Sequence, residues 1–370
     1  MSLPQAPRRT GDYMKVCGVD VHKSFLQVAV VDAEGRVIFR EKCEYTPSEV
    51  ARLIAELLAF RCRLVAMESS GVLWIQLFYR LAAEGFRVIL VNPFSTRAYH
   101  MKTDLLDAVR IARNTLAGAV IRSYVPARRS VLVLRGMVRL RRRLREDANR
   151  ILNRIHRLLV CSGVWLDRLV KPRSSRWLRA LRRLAEGASL VDLFGADALL
   201  RVFCVRLEPE ERAMLAELLD VYDRLTASCR RLEEESVRLA RELYGELYEL
   251  VQTVPGVGRL LAACILAEAG DVSRFPSARH FRSYCGLAPR VRESAGRARL
   301  GRCSRGNPYL RWAFYQAAVA AIRCDDELRS FYMRLRSRGK PHRVALVAVA
   351  GKIAARTWRV LYMREPYRAR

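Results

Sequence analysis

Short apolar runs bounded by turn-forming residues fill the first 120 positions of the chain. Three of these runs, separated by turn-forming residues, predict a meander of short strands at 15–21, 25–32 and 36–42. Helical and extended patterns then alternate, as a helix over 48–60, a strand over 64–67, a helix over 73–84, a strand over 86–91 and a helix over 104–116. Three strands followed by alternating helices and strands predict an α/β sheet of mixed direction.

The pattern changes in the middle of the chain to apolar residues spaced three and four apart. One stripe covers 134–158 and is broken only by Arg141, and a second covers 215–243. Each lasts about three heptads, which favours coiled-coil helices that pair as an antiparallel hairpin or across a dimer. Two ordinary amphipathic bundle helices are the alternative. A basic connector around 164–183 separates the stripes.

Glycine and proline punctuate the last part of the chain. A Val-Pro-Gly-Val-Gly turn over 254–258 joins two helical patterns, and Gly256 and Gly258 expose amides at the start of the second helix. Such amides can hold a backbone phosphate, although a plain turn between helices is an equal alternative. A Gly-rich segment and helical patterns over 310–322 and 344–361 follow.

The charge of the chain is strongly positive and unevenly distributed. The 370 residues include 67 lysines and arginines against 37 aspartates and glutamates, for a net charge of +30. A compact chain with this charge predicts a polyanionic partner, most commonly nucleic acid. Residues 121–183 hold 19 basic and 3 acidic residues, and residues 273–370 hold 23 and 5. We therefore expect at least two nucleic-acid-binding surfaces.

Cysteine spacing and apolar content narrow the class of protein. None of the ten cysteines forms a CxxC pair or has a histidine at zinc-finger spacing, so no zinc site is expected. Most lie in apolar segments, as reduced thiols do, and we expect a cytoplasmic protein. The sequence shows neither an apolar signal core nor about 18 consecutive apolar residues, so no secretion or membrane insertion is predicted. A hydrophobic content of 51% excludes a wholly disordered basic tail.

Four carboxylates stand at the ends of predicted elements. Asp20 and Glu68 end predicted strands, and Asp104 and Asp107 lie on one face of a predicted helix start. Carboxylates that converge from separate segments at neighbouring strand ends can hold two hard cations such as Mg²⁺ for phosphodiester chemistry. Turn formation at the strand ends and helix capping by Asp104 are the alternatives.

Nine segments resemble, in order, those of the DEDD-type insertion-sequence transposases, which are the insertion sequence one-ten family and the related pilin-gene invertases. The segments are GVDVHK, MESSGVLW, LVNP, KTDLLDA, PGVG, AEAGDVSRFPS, YCGLAPR, SAG and GNPYLR. The resemblance spans about residues 15–325, and an ordered series of matches is far more specific than any single motif.

The resemblance implies a fold, a site and a reaction. The fold class is α/β plus α: a RuvC-like (ribonuclease H-like) N-terminal domain, whose strand order the predicted elements match, a helical coiled-coil middle, and a mainly helical C-terminal transposase domain. The implied metal ligands, for two Mg²⁺ ions, are Asp20, Glu68, Asp104 and Asp107. Ser294 is implied as the nucleophile that joins covalently to DNA.

The resemblance also implies partners and an assembly. Family members form homo-oligomers with composite active sites, in which carboxylates and serine come from different subunits, and we expect a dimer or tetramer. They use a structured guide RNA that pairs with both target and donor DNA. The expected domains are a disordered basic tail over 1–14, a RuvC-like domain over 15–125, a helical coiled-coil region with the connector over 126–250, and the serine-bearing domain over 251–370.

Basic residues and glycines near these motifs are the candidate nucleic-acid contacts. They are Lys23, Lys102, Arg141, Arg142, Arg143, Gly256, Gly258, Arg290, Arg292, Arg297 and Arg299. The last four flank Ser294 and could clamp the scissile phosphate or make generic backbone contacts. The two lysines could instead balance the charge of the nearby carboxylates. We attach no role to His22.

Two other functions stay open from the sequence. One is a RuvC-like junction resolvase or nuclease that uses a metal-activated water and forms no covalent intermediate. The other is a nucleic-acid-binding scaffold with an inactive carboxylate cluster.

Overall fold

A computed structural model describes the fold of residues 15–69, 71–93, 104–294, 297–303 and 306–368, with their side chains except at 104–106 and 290–303. Contacts divide the chain into two compact units, one ending at Ala127 and one beginning at Arg128. The predicted tail over 1–14 lies outside the described residues, and the predicted boundary after residue 250 falls within the second unit.

Five strands form one sheet in the first unit. Across the sheet their order is β3-β2-β1-β4-β5, with β1 antiparallel to β2 and parallel to β4. Helices connect the parallel strands, because parallel neighbours cannot be joined by a tight hairpin. The predicted sheet of mixed direction is confirmed. The strands are β1 (Val16–Val21), β2 (Phe25–Val31), β3 (Val37–Glu44), β4 (Leu64–Glu68) and β5 (Arg87–Val91).

Three helices of this unit are described: α1 (Pro47–Ala59), α2 (Trp74–Ala83) and α3 (Asp104–Leu116). Helix α1 begins at a polar cap, where the Thr46 hydroxyl accepts a hydrogen bond from the Glu49 amide at 3.3 Å. Leu53 and Leu57 on its apolar face are fully buried. The observed bounds lie within two residues of the predicted ones because caps and apolar stripes mark them in the sequence.

Helix α3 lies directly on the sheet because small residues line up across neighbouring strands. Ala29, Gly18 and Ala66 pair in one row of β2, β1 and β4. A Cβ atom at Gly18 would stand 2.1 Å from the Ala108 carbonyl oxygen and 2.7 Å from the Ala112 amide nitrogen. No side chain fits between strand and helix, so Gly18 sets their separation.

The described part of the second unit is helical apart from one hairpin and short 3₁₀ turns. The hairpin pairs β6 (Pro289–Ser294) with β7 (Arg297–Cys303), and the sequence pattern had indicated only a Gly-rich segment there. The helices are α4 (Arg129–Cys161), α5 (Ser175–Ala185), α6 (Leu190–Phe194), α7 (Pro209–Tyr244), α8 (Glu246–Gln252), α9 (Arg259–Ala269), α10 (Ala278–Tyr284), α11 (Pro308–Cys324), α12 (Asp326–Ser337) and α13 (His342–Met363).

The two longest helices, α4 and α7, pack antiparallel and form what we call the arm. Arg141 Nη2 lies 2.8 Å from Glu233 Oε2, and the Ser162 hydroxyl donates to Glu211 Oε1 at 2.6 Å. The contact therefore moves backward along α7 as it moves forward along α4. Helix α5 closes the far end with Trp177 fully buried. These contacts establish an antiparallel helix pair, and a coiled-coil supercoil stays a prediction.

The remaining helices pack around α9, in which residues 262–269 are all buried. Helix α11 presents Ala313, Ala317 and Ala321 to this core, and all three are fully buried. Small residues at a spacing of four let helix backbones approach closely, so this unit is held by backbone proximity as well as by large apolar side chains.

Neither a membrane span nor a disulfide occurs in the part of the chain that the structure describes. Every described helix is too short or too polar to cross a bilayer. The described cysteines are all free thiols, and six of them are buried. The buried ones are Cys17, Cys43, Cys62, Cys229, Cys264 and Cys285.

We predict that Gly18→Ala destabilises the protein by about 3 kcal/mol, because the added methyl group would collide with the backbone of α3 rather than with a movable side chain. Chemical denaturation measures the change. Gly136→Ala is the matched control, since Gly136 lies in α4 with open space around its Cβ position. It should be neutral or stabilising by up to about 1 kcal/mol. Equal effects of the two substitutions would contradict the packing argument.

Candidate active site

Two carboxylates of the first unit lie side by side at the ends of neighbouring parallel strands. Val19 of β1 pairs with Met67 of β4, so the residues that follow, Asp20 and Glu68, occupy adjacent strand ends. Side chains alternate between the faces of a strand, and Asp20 therefore lies on the same face as Gly18. That face is the one that α3 covers.

Helix α3 brings a third carboxylate to this face. Asp107 directly precedes Ala108, the residue whose carbonyl oxygen meets Gly18. Its side chain is one-quarter exposed and pairs with Arg110 at 2.5 Å. The close approach of helix and strand thus carries Asp107 towards the end of β1.

Electrostatic repulsion links the three carboxylates. Burial raises the pKa of Asp20, and the contact with His22 opposes that rise, while the negative charges of Asp107 and Glu68 raise the pKa further. Like charges gathered in a partly desolvated site disfavour ionisation unless a cation compensates them. Carboxylate oxygens are the hard ligands that Mg²⁺ prefers, so the chemistry of these side chains suits a divalent cation.

The fourth predicted ligand, Asp104, begins α3, but its side chain lies outside the described residues. Among the described side chains, no group of three or more acidic, histidine or cysteine residues is placed to hold a metal ion. Lys102 also lies outside the described residues, and Lys23 is exposed in the turn that follows β1.

His22, to which the sequence assigns no role, contacts the Asp20 carboxylate. Its Nε2 lies 3.0 Å from Asp20 Oδ2. The imidazole stacks on the Phe25 ring, with centroids 4.3 Å apart, and the Lys42 ammonium stands 4.1 Å from the centre of that ring. The stack orients one carboxylate oxygen of Asp20 and leaves the other for a further partner.

The candidate nucleophile, Ser294, is the last residue of β6 in the second unit. In the hairpin register Ser294 pairs with Arg297, and Arg292 pairs with Arg299. The side chains of these residues and of Arg290 lie outside the described residues. The backbone therefore presents the serine next to the hairpin tip, between arginines on both strands.

The base of this hairpin is held by close backbone contact. A Cβ atom on Gly306 would stand 2.4 Å from the Gly286 amide nitrogen, and the Asn307 amide donates to the Tyr284 carbonyl oxygen at 2.8 Å. The Asn307 side chain caps α11 by accepting from the amides of Tyr309 and Leu310. The chain entering β6 and the chain leaving β7 are thus fixed to the same point.

A buried carboxylate connects this point to the arm. Glu268 has no solvent exposure, and Arg139 of α4 donates to its two oxygens at 2.6 and 2.8 Å. The Asn307 side-chain amide donates to Glu268 Oε2 at 2.7 Å. We call Arg139, Glu268 and Asn307 the hairpin clamp. This bidentate, hydrogen-bonded pairing is the arrangement that makes a buried charge tolerable.

The predicted phosphate-binding glycines have different surroundings. Gly256 has φ of +80°, and a Cβ atom there would stand 2.1 Å from the Ala317 carbonyl oxygen of α11. Its role in the structure is therefore close packing in a left-handed conformation. Gly258 precedes α9 with open space around its Cβ position. Phosphate binding at Gly258 stays a prediction.

The three predicted arm arginines also differ. Arg141 pairs with Glu233 and holds the arm together, and Arg142 pairs with Glu146. The Arg142 guanidinium also lies over the Tyr309 and Trp312 rings at 5.3 Å. Arg143 is exposed to solvent. Of the three, Arg143 is the one whose side chain has no described acidic or aromatic partner.

Two family profiles match the chain. A transposase profile of the DEDD type matches residues 17–161, and that of the transposase IS116/IS110/IS902 family matches residues 248–333. Together they take in both the carboxylate sheet and the serine hairpin and more than half of the chain. The chain belongs to this transposase family. The enzyme class that the sequence predicts, a DNA transposase or recombinase, is confirmed.

Individual relatives support the assignment of the chain to this transposase family. The transposase for insertion sequence element IS1111A of Coxiella burnetii is 25% identical over 100% of this chain and 95% of its own length. The pilin gene-inverting protein of Moraxella bovis is 29% identical over 32% of this chain and 38% of its own. A solved structure, T. thermophilus RuvC in complex with a Holliday junction substrate, covers 30% of this chain and 99% of its own at 19% identity and a TM-score of 0.23.

Sequence reasoning missed the hairpin clamp of the transposase. Its first and last members, Arg139 and Asn307, are 168 positions apart in the sequence. Neither Arg139 nor Glu268 stands out among 67 basic and 37 acidic residues. The available signal was a glutamate inside the otherwise apolar run LLAACILAEAG, because an acidic residue in a buried helix requires a partner.

We predict that Arg139→Met destabilises the transposase by about 3 kcal/mol, since among the described side chains it leaves Asn307 as the remaining partner of the buried Glu268 carboxylate. Thermal or chemical unfolding measures the loss. Arg238→Met is the matched control, because Arg238 pairs with Glu235 and Glu242 on the solvent-facing side of α7. No measurable loss is expected for the control. If both variants unfold alike, the clamp does not bear on stability.

Proposed function

We propose that this transposase cuts and rejoins DNA strands at a Mg²⁺ site formed by Asp20, Glu68, Asp104 and Asp107, with Ser294 as the covalent nucleophile. The observation that carries the proposal is the placement of Asp20 and Glu68 at adjacent strand ends, with Asp107 on the helix that covers the same face of the sheet. Carboxylates that are held near one another despite their mutual repulsion are typical of a cation-binding site.

Each group has a defined task in the proposed reaction. Two Mg²⁺ ions bound there would stabilise the negative charge on the phosphate and on the leaving oxygen. Ser294 Oγ forms a bond to phosphorus, the bond to the 3′ oxygen breaks, and the serine proton passes to solvent or to that oxygen. A 3′ hydroxyl of another strand then attacks the phosphoserine and releases Ser294, so the number of phosphodiester bonds is conserved. Arg290, Arg292, Arg297 and Arg299 would contact the phosphate.

The carboxylates and the serine belong to different compact units. In line with the resemblance described above, we propose that a complete site takes the carboxylates from one subunit and Ser294 from another. The transposase then acts as a homo-oligomer, a dimer or tetramer. This arrangement makes cleavage depend on assembly, which protects DNA from a lone subunit.

The distribution of charge supports two nucleic-acid partners. DNA, both target and donor, is the substrate of the proposed reaction, and a structured guide RNA is the second proposed partner. The basic arm segment over 121–183 and the basic serine-bearing segment over 273–370 provide separate surfaces for them. Lys23, Lys102, Arg143 and Gly258 are the proposed contacts outside the serine hairpin.

The proposal also includes the fold of the first domain, the form of the arm and the compartment in which the protein acts. The strand order β3-β2-β1-β4-β5, with the carboxylates at strand ends, supports a RuvC-like, ribonuclease H-like first domain. The heptad pattern supports a coiled-coil arm. We expect the protein to act in the cytoplasm, where its buried thiols stay reduced.

We predict that Mg²⁺ raises the unfolding midpoint of the wild type but not of Asp20→Asn, because a ligand that binds the folded state stabilises it. Without metal, Asp20→Asn should be at least as stable as the wild type. The pKa of Asp20 is raised on folding, so its ionised form is destabilising at neutral pH, and that cost is relieved as the pH falls through the raised pKa.

The control for this metal titration is Glu34→Gln, which removes one exposed acidic charge from the same unit. Its Mg²⁺ response should equal that of the wild type. If Mg²⁺ raises the unfolding midpoint of Asp20→Asn as much as that of the wild type, the assignment of Asp20 as a metal ligand is wrong, whether or not the variant still cleaves DNA.

We predict that Ser294→Ala abolishes both strand cleavage and a denaturation-resistant protein–DNA adduct, while DNA binding persists. Electrophoresis of labelled DNA after mixing with protein and Mg²⁺ reports both products. Ser304→Ala, on the same segment, is the control and should retain the adduct. Cleavage by Ser294→Ala would favour the junction nuclease that uses water, and strand exchange by Asp104→Asn would favour a scaffold without catalysis at this cluster.

A further inference from the structure

The chain between helices α12 and α13 carries basic residues without acidic neighbours in sequence. After Glu327 no aspartate or glutamate occurs until Glu365, whereas ten lysines and arginines do. Five of the ten cluster around the connection between the two helices. We call them the basic turn: Arg334, Arg336, Arg338, Lys340 and Arg343.

All five side chains of the basic turn are exposed. In the part of the chain that the structure describes, none of them pairs with a carboxylate, whereas neighbouring basic residues do. Arg356 pairs with Asp325, and Lys352 pairs with Glu327. Described carboxylates therefore neutralise the basic residues next to the basic turn, but not those of the basic turn itself.

The backbone of the basic turn is well ordered by local contacts. Gly339 has φ of +73° and its amide donates to the Arg336 carbonyl oxygen, a common way to end a helix. The Tyr332 hydroxyl lies 2.6 Å from His342 Nδ1 and ties the end of α12 to the start of α13. The charges are thus presented by a fixed scaffold, which lowers the entropy lost when they bind a partner.

Helix stability explains only part of this charge. Basic residues in the last turn of α12 interact favourably with the helix dipole, which accounts for Arg334 and Arg336. Arg343 lies in the first turn of α13, where a cation is unfavourable. Lys340 lies between the helices, beyond the last turn of α12. Mutual repulsion among five exposed cations adds to this cost.

We propose that the basic turn binds the phosphate backbone of duplex DNA outside the reacting site. An anionic polymer offsets the repulsion among the five cations. A phosphate bound near the first turn of α13 would interact favourably both with Arg343 and with the positive end of the helix dipole. The inference rests on DNA as the substrate of this transposase. The basic turn begins just beyond the profile match over 248–333, so the family match itself does not assign it.

The test compares salt dependence of DNA binding in two full-length variants built on Ser294→Ala, so that no cleavage occurs. The first variant carries Arg334→Gln, Arg338→Gln, Lys340→Gln and Arg343→Gln. The control carries Arg80→Gln, Arg224→Gln, Arg238→Gln and Arg241→Gln, which remove the same charge from residues that already pair with carboxylates and lie outside both basic segments. The probes are one mixed-sequence duplex DNA and an RNA duplex of the same sequence.

For the basic-turn variant we expect the slope of log affinity against log salt to become shallower by about 3.6, because each of the four lost phosphate contacts removes about 0.9. The control should keep the slope of the Ser294→Ala parent. Unfolding curves check that both variants remain folded. A basic-turn slope equal to that of the control overturns the proposal, and so does a change seen with an RNA duplex but not with DNA.

The outcome is separable from that of the proposed function. Adduct formation by the chain with Ser294 intact is measured in the absence of these substitutions, whereas the salt slope is measured without any cleavage. Loss of the adduct assignment would leave the slope result standing, and an unchanged slope would leave the serine assignment standing.

Discussion

Direct contact between a glycine backbone and a helix backbone determines where both candidate chemical groups lie. In the first unit, Gly18 meets the carbonyl oxygen of Ala108 and the amide of Ala112. In the second, Gly256 meets the same two groups of Ala317 and Ala321, again four residues apart on a helix. Such contacts allow almost no adjustment, because the opposing atoms are main-chain atoms that cannot rotate away. These contacts therefore limit how far the elements that carry the carboxylates and the serine hairpin can move within each unit.

The two units treat buried negative charge in opposite ways. Glu268 is fully enclosed and is neutralised within the chain by Arg139 and Asn307. Asp20 is more exposed, has only His22 as a direct described partner, and faces two further carboxylates. The first arrangement contributes to a stable scaffold. The second leaves the folded chain with an unbalanced site, which is the usual signature of a site adapted to a ligand rather than to stability.

The extent to which sequence predicted structure depended on the range of the interactions. Strand and helix bounds in the first unit were predictable because caps such as Thr46 and apolar periodicity act over a few residues. The neighbouring positions of Asp20 and Glu68 were predictable because the ends of adjacent parallel strands lie side by side. Arginines alternate with apolar residues at 290–292 and 297–300, but these runs are short and hold few strongly apolar residues, so they did not indicate the hairpin over 289–303. The clamp was missed because its three members meet only in three dimensions. His22 was missed because its stacking partner, Phe25, reads as an ordinary strand residue.

The hairpin clamp has a mechanical consequence. Arg139 lies in the first third of α4, and the 22 residues from it to Cys161 extend about 33 Å along the helix axis. The Glu268 ion pair therefore joins one end of the arm to Asn307 at the root of the serine hairpin. Arg135 and Arg142 of the same helix donate to the Ala267 and Pro308 carbonyl oxygens beside it, at 2.5 and 3.2 Å. Because the helix is continuous from these contacts to Cys161, a partner bound at the far end of the arm would act on the root of the serine hairpin through this group of contacts.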